Sequence, residues 1–178
     1  MELELKRGGR TARVETLGGE LVSYRDERGL EYIWGGDPAY WPGRNPLLFP
    51  IVGMLKEGKI RFDGREYAME RHGFARRREF TPAARGEDWV RLELRESAET
   101  LALYPYSFRL AVEQRLTDTG FSTAVTVANP GEGPLPFCLG AHTGFRCPLE
   151  AGERFEDYEL VFPERESCPT LLLRDGLL

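Results

Sequence analysis

The sequence is poor in the residues from which most reactive centres are assembled. It has three cysteines, Cys138, Cys147 and Cys168. An odd number without C-x-x-C spacing supports neither a disulfide framework nor a structural zinc site. They read as small buried residues of a reducing compartment. Positive charge is also short: 24 Lys and Arg stand against 29 Asp and Glu, a formal net charge of −5. Phosphate contact needs a basic face, so no nucleic-acid partner is expected. Arg76-Arg77-Arg78 is too brief to change that and reads as solvated surface. Long apolar runs are missing. The nearest, Pro46 to Leu55, is short and broken by proline and glycine, so no bilayer span is expected. The first residues, MELELKRGGRTARVE, alternate in charge and lack the apolar centre of a signal peptide. The expected location is the cytoplasm, with no membrane contact. No G-x-S-x-G elbow and no G-x-x-x-x-G-K or G-x-G-x-x-G loop occurs, which removes the common signatures of serine hydrolases and nucleotide binders. Only two histidines are present, too far apart in sequence and without a third evident ligand, so no metal site is expected.

What the chain does hold is turns and alternation. Its 178 residues fit one domain, spanning 1–178, and a chain of this size buries roughly 70% of the surface it exposes when unfolded. Twenty glycines and twelve prolines suit many tight turns. Leu3 and Leu5 alternate with charged residues, Gly8-Gly9 turns, and Thr11 to Leu17 reads as the partner strand. Glu20 to Tyr24 and Leu30 to Trp34 read as a second hairpin about Asp26 to Gly29. Gly35 to Arg44 is a loop whose Tyr40 and Trp41 either cover the core or line a pocket. Asn45 to Leu55 is an irregular inner strand interrupted by prolines. Lys59 to Phe62 and Arg65 to Met69 form a hairpin about Asp63-Gly64. Strands follow at Arg78 to Thr81 and Trp89 to Arg95, then one short helix candidate at Ser97 to Leu103 that Pro105 ends. Phe108 to Leu116 and Phe121 to Val127 give the clearest hairpin, and Asp157 to Phe162 reads as a last strand. The pattern predicts an all-β, antiparallel sandwich.

Both histidines sit in similar surroundings. His72 opens His-Gly-Phe-Ala-Arg, and His142 lies in Leu-Gly-Ala-His-Thr-Gly-Phe, so each is followed by a glycine and a phenylalanine, Phe74 and Phe145. Small neighbours leave room above an imidazole, and a phenyl ring offers a flat apolar floor. Imidazole titrates near neutrality, so two of them facing one pocket can give and take protons on a neutral, hydroxyl-rich ligand. Arginine and aromatic side chains would hold such a ligand.

Taken together, GGELVSYRDERGLEYIW, PLLFPIVGML, HGFAR and LGAHTGF resemble the aldose 1-epimerase, or galactose mutarotase-like, family. The resemblance runs over nearly the whole chain in order and lies nearest the bacterial LacX-like branch. It implies the galactose mutarotase-like supersandwich, here C-terminally incomplete, and interconversion of the α and β anomers of a free or phosphorylated aldose. His142 matches the general acid that acts on the ring oxygen, and His72 the histidine that assists beside it. The base of the family is a glutamate from a C-terminal segment, which matches no residue here. Where many members carry a substrate-binding arginine, this chain has Met54, leaving Arg76 or Arg44 to supply the charge. No metal or organic cofactor is implied. Three further expectations follow: exposed sheet edges, a homodimer closed through them, and, as the alternative to an enzyme, a module that binds or senses a sugar without converting it.

Overall fold

The computed structural model describes residues 1–165, 167–169 and 172–174. Strands β1 (Glu2–Arg7), β2 (Arg10–Glu15) and β3 (Glu20–Arg25) form a three-stranded antiparallel sheet in that order. Gly8 and Gly9 both take positive φ, which gives the tight β1–β2 turn its twist. Alternation works as expected: Leu3, Leu5, Ala12, Val14 and Leu21 turn inward and the charged residues outward.

The chain then departs from its second expected hairpin. Leu30 to Trp34 forms only isolated bridges, Arg25 to Glu31 and Ile33 to Phe145. The cause lies in Glu31, whose side chain accepts from the backbone amides of Tyr24 (2.9 Å) and Ile33 (3.1 Å), replacing part of a ladder. Asn45 to Ile51 is buried without a break, but only β4 (Leu47–Leu48) is regular within it. The expected irregular inner strand is therefore present. β5 (Lys59–Phe62) and β6 (Arg65–Ala68) form the expected hairpin, with Asp63 and Gly64 at positive φ.

β7 (Thr81–Arg85) starts where the expected strand was to end. β8 (Trp89–Arg95), β9 (Arg109–Leu116) and β10 (Phe121–Ala128) complete a second antiparallel sheet, ordered β10-β9-β8-β7. Between β8 and β9 the helix shrinks to a single turn, α1 (Ala98–Leu101), closed by a reciprocal Ser97–Thr100 cap. β1 and β2 pack across β9, so the two sheets face each other over one core. Val90, Leu92, Leu110, Val112 and Leu116 meet the inward residues of the first sheet there. Gln114 is the polar link: it donates to the Gly19 carbonyl (2.9 Å) and accepts from Thr123 of β10 (2.6 Å). Tyr104, Phe49, Phe74 and Phe108 form an aromatic cluster at one end of the core. After β10 the chain returns to lay β11 (Gly140–Ala141) antiparallel on β4.

Two further expectations fail. Asp157 to Phe162 is not a strand: Phe155–Asp157 is a 3₁₀ turn, and Leu160, Val161 and Phe162 are 87%, 78% and 60% exposed. Alternation marks a face, but a strand needs a neighbour to take its backbone hydrogen bonds. Cys138, Cys147 and Cys168 are exposed rather than buried. Among the described residues the outer edge of β10 carries no ladder partner. Also among them, no helix is long and apolar enough to cross a membrane.

Candidate functional site

His72 is placed by a sharp turn after β6. His72 and Gly73 take φ of 66° and 68°, a left-handed pair of which only the glycine is free of strain. Gly73 cannot be anything larger, since a Cβ there would lie 2.2 Å from the Phe49 carbonyl oxygen. That close approach lets the same carbonyl accept from the amides of Phe74 (3.0 Å) and Ala75 (3.2 Å). The imidazole is then locked from the other side. The His72 amide donates to the Gly53 carbonyl (2.8 Å), and the Gly53 amide donates back to His72 Nδ1 (3.0 Å). Accepting at Nδ1 assigns the proton of the neutral ring to Nε2. Strain of this kind persists only where the surrounding contacts over-determine the conformation, as they do here.

His142 arrives on a different element. β11 pairs with β4, and one residue further on the His142 amide donates to the Pro46 carbonyl (3.2 Å). Gly144 donates to Arg44 (2.7 Å), and Thr143 Oγ1 donates to Asn45 Oδ1 (2.6 Å). The segment is thus held at successive residues against 44–48, and the imidazole of His142 stands exposed beside His72. The two ring centroids are 6.4 Å apart, edge to face. Trp41 covers the His142 ring at 4.8 Å, tilted by 36°.

The charge around His72 is positive. Burial lowers its pKa from the ordinary histidine value, and Arg76, His142 and Arg71 lower it further. The ring is therefore held neutral near pH 7, an N–H donor at Nε2. Arg76 lies half-buried next to it, its own pKa lowered by burial and by Arg77 and Arg71, with Glu70 opposing. Its Nη2 donates to the Arg71 carbonyl (2.9 Å), while its buried Nε has no partner among the described residues. Such an orphan donor is expensive unless something else meets it.

The remaining expected contacts go elsewhere. Arg44 sends its guanidinium to the Gly35 carbonyl (Nε, 3.3 Å) and to Glu15 (Nη1, 3.7 Å), toward β2. Phe74 is a core residue, packed edge-on against Phe49 and beside Tyr104 and Phe108. Phe145 is exposed and lines a separate cavity of about 280 Å³ with Tyr24, Tyr32, Phe121 and Thr143. The structure thus brings together His72 and His142, with Arg76 beside His72, and separates Arg44, Phe74 and Phe145 from them. Gly53 escaped the sequence reading, since a backbone amide leaves no signature. Trp41 was legible as an aromatic in a Gly/Pro loop, but its partner was not. Among the described residues no group of three His, Cys, Asp or Glu could hold a metal ion.

Two antiparallel sheets thus face each other over one core, with His142 one residue beyond the short β4–β11 pair and His72 beside it. The family description "Aldose 1-epimerase" matches residues 1–174, and the chain belongs to that family. It is 41% identical, over 186 aligned positions, to the plasmid-encoded protein LacX of Lactococcus lactis subsp. lactis, and 40% identical to the chromosomal form. All of this chain is covered in both comparisons but only 62% of either LacX protein, so it spans under two thirds of their length. Among solved structures, a galactose mutarotase related enzyme from Lactobacillus acidophilus superposes with a TM-score of 0.85 at 28% identity, over 88% of this chain and 53% of that one. A galactose mutarotase-like protein from Lactobacillus casei gives 0.81 at 33%, over 85% and 52%.

Proposed function

We propose that the chain carries the proton-donating side of an aldose 1-epimerase site, which opens and recloses a pyranose and so exchanges its α and β anomers. The observation that carries this reading is the meeting of the only two imidazoles at 6.4 Å, from elements seventy positions apart, with His142 exposed and His72 partly so. In the proposed step the His142 proton passes to the ring oxygen as the bond from that oxygen to the anomeric carbon breaks. The anomeric hydroxyl loses its proton to a base, and its oxygen becomes the aldehyde carbonyl. Rotation about the adjacent carbon–carbon bond and the reverse sequence then close the ring on the other face, with no net gain or loss of protons. His72, neutral and donating from Nε2, steadies the same oxygen. Arg76 supplies the charge beside them. The base is assigned to no residue of this chain. General acid and general base each contribute about 10² to 10⁴-fold, so a chain working with the acid alone turns over slowly.

Magnetisation-exchange NMR on galactose or glucose, with the anomers observed directly, tests the reading. Exchange should exceed buffer and return to the buffer rate in His142→Ala with the fold retained. Exchange at the buffer rate in the parent chain, together with measurable sugar binding, would replace the enzyme by a binding module.

A further inference from the structure

Trp41 is the closest ring to His142, and the surrounding structure is arranged to keep it there. The indole lies at 4.8 Å from the imidazole, against 6.4 Å for His72 on the other side. Two glycines leave the space that the indole fills. A Cβ on Gly43 would lie 2.7 Å from both Cε2 and Cζ2 of Trp41, and one on Gly144 would lie 2.8 Å from its Cζ3. Neither glycine has a positive φ, so backbone conformation does not require them, whereas the close approach of the indole does. The main chain of the loop is fixed independently of the ring: Trp34 Nε1 donates to the Trp41 carbonyl (2.8 Å), and the Trp41 amide donates to Asp37 (2.8 Å). The next residues are tied to the first sheet, where one oxygen of Glu20 accepts from the amides of Arg44 (2.9 Å) and Asn45 (2.6 Å).

An exposed imidazole one residue beyond a two-residue strand is otherwise held only through its backbone, free to rotate about its side-chain torsions. From these contacts we infer that Trp41 is the positioning residue of His142: its indole, wedged between Gly43 and Gly144, fixes the imidazole plane relative to the ring of His72. An indole face suits this task, since it packs an imidazole over a wide area and attracts it more when it carries a proton. The role rests on the mutarotase reading for its consequence in catalysis but not for its geometry.

The experiment therefore has two arms. In the first, the imidazole carbon-bound protons of His142 are observed by NMR in the parent chain and in Trp41→Leu, Trp41→Phe and Gly43→Ala. In Gly43→Ala the nearest collisions are with the indole alone. The indole ring current should set the His142 resonances apart from those of His72, and Trp41→Leu and Gly43→Ala should both collapse that separation. Resonances unmoved in those two variants would overturn the inference. In the second arm, anomer exchange should fall in the same variants on the order of 10²-fold in kcat, with KM within about twofold and partial recovery in Trp41→Phe. A rise in KM with kcat retained would overturn it too, making the indole a sugar platform instead. Should the parent chain show no exchange above buffer, that outcome counts against the mutarotase reading, and the first arm decides the positioning role by itself.

Discussion

His72 shows how much local cost one residue carries to stay in place. It sits at φ 66°, a conformation that costs a non-glycine residue on the order of 1–2 kcal/mol, and it is held there by Gly53 on one side and the Phe49 carbonyl beside Gly73 on the other. The dependence on Gly73 is testable. Gly73→Ala places a Cβ 2.2 Å from the Phe49 oxygen at a φ of 68°, and should cost on the order of 3 kcal/mol, read as a shift of the urea midpoint at constant m. The same variant should displace the His72 ring before it unfolds the protein, visible as a moved His72 resonance under native conditions. At this scale the sequence was partly legible. HGFAR and LGAHTGF single out His72 and His142 because small residues beside a histidine are unusual enough to notice, and the structure brings the two rings to 6.4 Å. The sequence did not show that Phe74 would serve the core and Phe145 another cavity, because a phenylalanine reads the same whichever face its backbone turns toward the sheets. The course of Arg44 was hidden for a similar reason: Glu15 and the Gly35 carbonyl, near it only in space, hold its guanidinium.

Between elements, carboxylates do the joining that ladders do elsewhere. Glu31 accepts from Ser23 Oγ (2.5 Å), the amides of Tyr24 and Ile33, and Arg25 Nε (3.2 Å), and Asp26 accepts from the amides of Arg28 and Leu30 (both 2.9 Å) and from Tyr32 Oη (3.1 Å). These bonds carry the chain from β3 toward the Trp41 loop. For Glu31 burial pushes the pKa up, but the Ser23 hydroxyl, the Ile33 and Tyr24 amides and Arg25 outweigh it and leave the carboxyl below its ordinary value. Glu31→Gln replaces an anion with an amide that matches only some of those donors, and should lower Tm by about 3 °C or more near neutral pH. If the clamp also sets the loop, the Trp41 and His142 resonances should move with it. Hairpins with strong turns, Gly8-Gly9 and Asp63-Gly64, were legible because the turn residues dictate the pairing. The return strand at Leu30 to Trp34 was not. Its alternation was real, but a side chain took over the hydrogen bonds that a neighbouring strand would have used.

Across the whole molecule, acid should be the weak direction. Glu31 and Asp26 both sit below their ordinary carboxylate values; for Asp26 burial works against the shift and the Leu30, Arg28 and Tyr32 hydrogen bonds prevail. Stability from such groups is present above the unfolded carboxylate value, about 4, and is lost as pH falls through the lower folded values. His72 adds in the same direction. With its folded pKa depressed, the unfolded chain binds the proton more readily, so stability declines once pH drops below about 6.5. Tm should therefore be flat above neutrality, slope gently below about pH 6.5 and steeply below about pH 4, with His72→Asn removing the first slope and Glu31→Gln softening the second. A Tm that rises on acidification through this range would contradict both assignments. The sandwich itself was legible at this scale, since alternation and turn residues repeat along most of the chain. The last expected strand was not, because a strand is a property of two segments and Asp157 to Phe162 shows no partner among the described residues.

The central claim is that His72 and His142 address one sugar. With only two histidines in the chain, both imidazoles can be followed by NMR in a single galactose titration. The account predicts that the two sets of ring resonances move together and saturate with one midpoint, and that His142→Ala abolishes the response at His72 while the fold persists. Movement at one ring alone, or two midpoints, would show that the imidazoles serve separate purposes and that no shared site exists.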